Sequence, residues 1–590
     1  MARHFFASPQ GEEEDRQKLL EMIAELAAFK GRIASSPENL LRCLQLYDTV
    51  QMRFRRHMDY LRLRRALNTK DVSAGNGAAA LQAEILARTA FAEREFAALG
   101  DETLTSLVGR DTALKRYVYA IQALARYRNH TLSSSEEELL RGIAPAISSW
   151  QYDLYEKLRD GTQFGTVRVG GHELDVFKDR ATLMSNPDRQ VREAGFKKRY
   201  AGFAHQRDLY AFTLVRLARA RNRLAELRHF EDAAAQAYFA SEWKPAMVTA
   251  LLNAVKKHAE IYKRYQRLRA ARAQQIAGGQ GVNLWDVSLP RPSFQTPRFT
   301  FDQSTRTIRE SLESLGPEFS AEMTRLLDPA NGRLDVGPGE NRYPGGFSLG
   351  FVGTTSVFFG GVFRGRYDNM RVMAHEATHA VHRQLMTNAN VLPAYASGPS
   401  YLFESFAVFS ELLLAEHLAG SADDVALREY FLEQFVDGKG TIMFVAGPEA
   451  ELEQAVYSSE KNGEIKGPDD LDALTQRIYS QYSIWPEKHK ELKGQWMMIP
   501  LMYEDPFYNV NYVYAGLLAL TYLDLWDKDP KGFASRYTAF MKNGFDAPAA
   551  VLLARFLGLD IQAREFVEHA MAALEKRMHK LEESYAASAR

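Results

Sequence analysis

The stretch Tyr367-Asp368-Asn369-Met370-Arg371-Val372-Met373-Ala374-His375-Glu376-Ala377-Thr378-His379-Ala380-Val381-His382 decides how this chain is read. Met370, Met373, Ala374, Ala377 and Val381 recur at three- and four-residue spacing, the pattern of a helix with one buried face. Asp368 reads as its N-cap, and the helix runs to about Met386. His375 and His379 then leave the same side of the helix, because one turn takes about 3.6 residues. Neutral imidazole suits Zn²⁺, and an open, catalytic zinc site combines three protein ligands with a water. Glu376 is one step round the helix, where a carboxylate can hold that water and take its proton. Glu404 follows His379 by 25 residues, in Tyr401-Leu402-Phe403-Glu404-Ser405-Phe406-Ala407-Val408-Phe409. A carboxylate among so many apolar neighbours is costly unless paired or metal-bound, which makes Glu404 the candidate third ligand. His382, one turn past His379, is assigned to helix packing.

Residues 335–366, just before this helix, are dense in glycine, and Val352 to Phe363 reads as strand. Such a stretch can offer an edge strand to a peptide backbone. Residues 12 to about 160 are helical in pattern, as in Leu19, Leu20, Ile23, Leu26 and Ala27. Ala74-Gly75-Asn76-Gly77-Ala78 reads as a loop between two helices. Ser133-Ser134-Ser135-Glu136-Glu137-Glu138 reads as an N-cap serine with acidic residues in the first turn. Thr166 to Leu174 reads as a β-hairpin, and Asn186-Pro187-Asp188-Arg189 opens further long helices to about Arg272. Gly278-Gly279-Gln280-Gly281 is a flexible joint, residues 282–302 read as extended, and most of the remainder to Arg590 is helical.

Composition removes several function classes. The 590 residues are 46% hydrophobic, enough for a large core. Lys plus Arg and Asp plus Glu both number 74, so nothing calls for nucleic acid or an anionic membrane as partner. The cluster from Arg53 to Arg65 reads as solvated helix face. The single cysteine, Cys43, excludes an internal disulfide framework and a multi-cysteine zinc site, and reads as a buried apolar residue. No apolar run reaches 18 residues, and Met1 to Pro9 lacks a signal-peptide core before the chain turns acidic at Glu12. The expected location is cytoplasmic, a reading that a chain trimmed of its leader would share.

These motifs together resemble the oligoendopeptidase F branch of the thimet oligopeptidase family of zinc metallopeptidases, over residues 115 to 570 or so. In that family HExxH is followed 25 residues on by a ligand Glu within E-x-x-S/A-x-x-x-E, matched here by Glu404 and Glu411. Gly345-Gly346-Phe347-Ser348 is similar to the family's Gly-Ala-Tyr-Ser, which marks Gly345, Gly346 and Phe347 as substrate-binding residues. Arg126 to Ser133 and Asp188 to Arg192 resemble two further family segments. Pro506-Phe507-Tyr508-Asn509, with Tyr512 and Tyr514, resembles a tyrosine-rich loop that faces the metal. The resemblance implies that Tyr512, with Tyr508, donates a phenolic hydrogen bond to the oxyanion. Two departures are visible. Leu501 stands where the family has a His, in Ile499-Pro500-Leu501-Met502-Tyr503, and Ala377-Thr378 replaces the usual Leu-Gly or Phe-Gly.

The fold implied is mostly α: a helical two-lobed clamshell with a deep central channel and a small β-sheet next to the HExxH helix. Its expected parts are an N-terminal helical lobe (1–195) and a zinc metallopeptidase catalytic domain (196–590). The expected activity is hydrolysis of internal bonds in short unfolded oligopeptides. The expected cofactor is one Zn²⁺ on His375, His379 and Glu404, with Glu376 as general base and Glu411 orienting a ligand histidine from behind. Two other readings stay open at this point: a carboxypeptidase or dipeptidyl carboxypeptidase of the same architecture, and a non-catalytic, zinc-bearing peptide-binding protein.

Overall fold

The computed structural model describes residues 4–148, 150–279, 281–289, 291 and 294–588. Met1, Ala2 and Arg3, together with Gln280, Pro290, Pro292 and Ser293 of the joint and extended stretches, lie outside the described residues. Helices dominate. The strands among the described residues are β1 (Thr166–Val169), β2 (His172–Asp175), β3 (Leu334–Val336), β4 (Gly346–Leu349) and β5 (Val357–Gly360). The chain folds as two compact units, each assembled from three separated stretches.

The first unit comprises Met1–Asn129, Thr296–Ser421 and Tyr522–Ile561. It opens with α1 (Pro9–Ala27), α2 (Pro37–Leu67) and α3 (Val72–Ala98). Ser8 and Ser36 cap α1 and α2, each followed by a proline whose missing N–H costs nothing in a first turn. Leu19, Ile23, Val50, Leu81 and Ile85 lock the three helices together. The loop expected at Ala74–Ala78 is instead the first turns of α3. Asp71 caps it by accepting from the Ala74 N–H, and Gly75 and Gly77 lie where Arg65 and Leu61 of α2 approach. A Cβ at either position would make only ordinary contact, so the Asp71 cap and the packing of α3 on α2 carry the helix through the two glycines. The Arg53–Arg65 stripe is also less solvated than expected. Arg53 pairs with Asp15 at 2.6 Å and Arg64 with Asp71 at 2.8 Å, while Arg55, Arg62 and Arg65 are exposed, Arg62 lying over the Phe347 ring.

The sheet of this unit has the order β3-β5-β4, with β3 parallel and β4 antiparallel to β5. Register sets Phe347 opposite Phe359, and their rings stack at 5.1 Å. The strand is shorter than the expected Val352–Phe363, covering Val357–Gly360, and at Gly361 a Cβ would meet the Tyr343 carbonyl oxygen at 1.7 Å, so only glycine fits there. The motif helix, Tyr367–Asn388, packs on β4 and β5. Its N-cap is Arg366 and not Asp368. Asp368 lies in the first turn, where its carboxylate accepts from the Arg366 guanidinium and the Asn369 N–H and suits the positive helix end.

The second unit comprises His130–Gln295, Ala422–Thr521 and Gln562–Arg590. β1 and β2 form the expected hairpin, turned by Gly170 and Gly171 at φ of 56° and 87°, values that glycine adopts without strain. Asp188 caps the helix Arg189–His205, and Ser133 and Glu136 bond reciprocally at the start of the helix Ser134–Ser148. Arg192 is buried against Asp286 at 2.6 Å. Cys43, back in the first unit, is free and buried as expected. No helix among the described residues is long and apolar enough to cross a membrane.

Candidate metal centre

Two helices of the first unit build the centre. The motif helix crosses the helix Ser400–Gly420, whose residues are mostly buried on both sides. At the crossing, Thr378 bonds its own helix through the Ala374 carbonyl (2.8 Å) and reaches the Ser410 hydroxyl at 2.6 Å. The departure at Ala377-Thr378 thus has a role: a small buried residue lets the helices approach, and a hydroxyl pair ties them.

The crossing brings together His375, His379 and Glu404, with one potential ligand atom from each lying within 4.8 Å of the others. The two Nε2 atoms are 3.2 Å apart, and Glu404 carboxylate oxygens lie 3.5 Å from His375 Nε2 and 4.0 Å from His379 Nε2. On its other side His375 Nδ1 donates to Glu411 Oε1 at 2.6 Å, and the second Glu411 oxygen takes the Arg371 guanidinium. That bond fixes the proton on Nδ1 and leaves the Nε2 lone pair facing His379 and Glu404. Burial pulls the His375 imidazole down, but the hydrogen bond and charge of Glu411, with Glu404 and Glu376, outweigh it and hold it above the usual value. Two nitrogen lone pairs and a carboxylate converging on one point fit a divalent transition metal, and imidazole with carboxylate is a common zinc donor set.

Glu376 is oriented by the sheet. Its Oε2 accepts from the Ser348 N–H at 3.0 Å and from the Ser348 hydroxyl at 3.1 Å, and Arg383 Nη1 donates to that same hydroxyl oxygen at 2.9 Å. Ser348, Arg371 and Arg383 are the residues that sequence reasoning missed. A signal existed for the arginines: they stand four residues before His375 and four after His379, on the ligand side of the helix. Ser348 directly follows the Gly345-Gly346-Phe347 segment. Gly346 and Phe347 belong to the edge strand β4, beside the motif helix, and a Cβ on Gly346 would come within 3.2 Å of Val372.

His382 packs as expected. It is 1% exposed among Phe403, Phe406 and Phe545, and burial pushes its imidazole down to about 3. Tyr508 and Tyr512 belong to the second unit, partly buried, with ring centroids 5.4 Å apart. Lys439 Nζ lies 5.5 Å from the Tyr512 ring centroid, and Leu501 opens the short helix Leu501–Glu504 in the same unit.

The sequence profile of peptidase family M3 matches residues 182–572, and that of the oligopeptidase F N-terminal family matches residues 95–160. Among curated relatives, the oligopeptidase PepF of Bacillus subtilis is 24% identical, over 98% of this chain and 86% of its own length. The group B oligopeptidase PepB of Streptococcus agalactiae is 24% identical, over 98% and 95%. Oligoendopeptidase F from Enterococcus faecium shares the fold, with a TM-score of 0.70 at 20% identity over 98% of this chain and 99% of that one. The resemblance read from the motifs and the family returned by these comparisons agree. The chain belongs to peptidase family M3, within its oligoendopeptidase F branch, and is a metallopeptidase.

Proposed function

We propose that this metallo-oligopeptidase hydrolyses internal bonds of short, unfolded peptides with one Zn²⁺ held by His375, His379 and Glu404. The observation that carries the reading is the convergence of two Nε2 atoms and a Glu404 carboxylate, with Glu411 occupying the far nitrogen of His375. The metal, when bound, supplies a Lewis acid that acidifies water and polarises a carbonyl.

The protein groups do the rest. Glu376 takes a proton from the attacking water as the C–O bond forms, and gives it to the amine as the peptide C–N bond breaks. Both Ser348 donors meet Oε2, which leaves Oε1 without a donor among the described residues and open to that proton. β4 presents an edge beside Glu376, so Gly345, Gly346 and Phe347 are the residues proposed to align an extended substrate. Tyr512, and with it Tyr508, is proposed to donate to the oxyanion. Leu501 offers no donor at the position where the family has His. The family profiles give way to one another between residues 160 and 182, which supports dividing the sequence near 195 into an N-terminal part (1–195) and a catalytic part (196–590), although the compact units cut across both. Balanced charge and the absence of a spanning helix among the described residues fit the proposed cytoplasmic location and peptide partners.

Glu376→Gln tests the reading. Turnover of a quenched fluorescent peptide with both ends blocked should fall by about 10²–10⁴ while the metal is retained. Wild-type cleavage of that blocked peptide separates an endopeptidase from a carboxypeptidase, which needs the free carboxylate. Activity retained in the variant would remove Glu376 as the base.

A further inference from the structure

The second unit holds a cavity of about 460 Å³, none of whose lining residues is a candidate for peptide hydrolysis. Its walls come from the helices Ala259–Ile276, Ile442–Lys461 and Pro468–Tyr482 and from the π-helical turn Val436–Gly440. One side is aromatic. Tyr262 and Phe444 lie parallel with centroids 5.7 Å apart, and Tyr482 and Trp485 continue the wall.

Two polar groups in this wall have no protein partner among the described residues. Glu449 makes no hydrogen bond or ion pair among the described residues, and burial pushes its carboxyl up to about 7. Tyr479 Oη is buried and makes no hydrogen bond, although its ring lies close enough to feel the Glu449 charge. Tyr265 is 2% exposed, and its hydroxyl faces the Asp437 carboxyl, which also takes Arg269. Pro448, inside its helix, has no N–H to give to the Phe444 carbonyl one turn back. The Glu449 carboxylate is half-buried and has no protein donor, so a cation that reaches it gains a charge partner. The protein's own cations nearby are not placed to do so. Arg269 is engaged by Glu433 at 2.5 Å and Asp437 at 3.7 Å, and Arg180 is exposed at the surface.

We propose that this cavity binds a primary alkylammonium group, its N–H donors taken by Glu449 and the phenolic oxygen of Tyr479, its alkyl chain lying along Tyr262, Phe444 and Trp485. An ammonium brings N–H donors and a positive charge to the Glu449 carboxylate, and an alkyl chain packs on the aromatic faces beside it. The ammonium can come from a free amine or from the lysine side chain of a peptide.

Calorimetric titration of the full chain at pH 8, where Glu449 is charged, tests this with cadaverine against 1-pentanol and with Nα-acetyl-lysine amide against Nα-acetyl-norleucine amide. Cadaverine should bind and pentanol should not. Glu449→Gln should weaken cadaverine at least tenfold, and Tyr479→Phe severalfold. Tyr479→Phe removes a hydroxyl that makes no bond in the free protein, so it should fold as the parent does. Binding of the lysine amide assigns the site to peptide side chains, and its failure beside bound cadaverine assigns it to free amines; either upholds the ammonium site. Cadaverine binding no tighter than pentanol, or binding unchanged in both variants, would overturn it and leave the cavity to water. The readout needs no turnover, so failure here leaves the peptidase reading untouched.

Discussion

Neighbouring turns of the motif helix carry the same side chain in opposite surroundings. His375 and His379 look onto Glu404, with Glu411 and Arg371 behind them, and His375 is held above its ordinary pKa. His382, less than one turn beyond His379, looks onto three phenyl rings and is driven down to about 3 by burial. Spacing along the helix puts all three imidazoles within two turns. What separates ligand candidates from packing is which side chains of the crossing helix Ser400–Gly420 each imidazole meets: Glu404 and Glu411, or Phe403 and Phe406.

The largest effect that sharpens this contrast is expected at Glu411. Glu411→Gln removes the charge that fixes the His375 tautomer and also leaves Arg371 without its carboxylate. Metal affinity should drop about 10–100-fold, measured by competition with a chromogenic chelator. An unchanged affinity would make Glu411 a partner of Arg371 alone. A smaller effect is expected at Ser348→Ala, which removes the hydroxyl that links Arg383 to Glu376 but keeps the backbone N–H. One lost hydrogen bond of about 1–1.5 kcal/mol corresponds to roughly tenfold in kcat, with KM little changed. A rise in KM alone would assign Ser348 to substrate binding instead.

The smallest effect belongs to His382→Phe, which should keep metal and activity. In the unfolded chain this imidazole takes its proton near pH 6.5, and in the fold only near about 3. The unfolded state therefore binds more protons between those values. The stability contributed by neutral His382 is complete above pH 6.5 and is lost as pH falls towards 3. The variant should flatten the acid side of the urea-unfolding profile by up to one proton. A profile identical to the parent's would mean that this histidine titrates normally.

What the sequence disclosed follows the same division. His375, Glu376, His379 and the buried face of their helix were legible because helix geometry is local. Glu404 was legible from its apolar setting and, with Glu411, from the family pattern. Ser348, Arg371 and Arg383 were not, because their partners are 28, 40 and 35 positions away and only the packed helix and sheet bring them together. The helix through Ala74–Ala78 was misread for a related reason: Asn-Gly is a turn signal in isolation, and the packing of α3 on α2 that overrides it is tertiary. The N-cap at Arg366 was missed because the first-turn acid Asp368 is the stronger sequence signal.

The central claim is that His375, His379 and Glu404 share one metal ion. Elemental analysis of the purified chain, run beside His379→Ala, Glu404→Ala and His382→Phe, tests it most directly. The account predicts close to one zinc per chain in the parent and in His382→Phe, and a loss of zinc in the other two. Zinc retained in Glu404→Ala and lost in His382→Phe would contradict it.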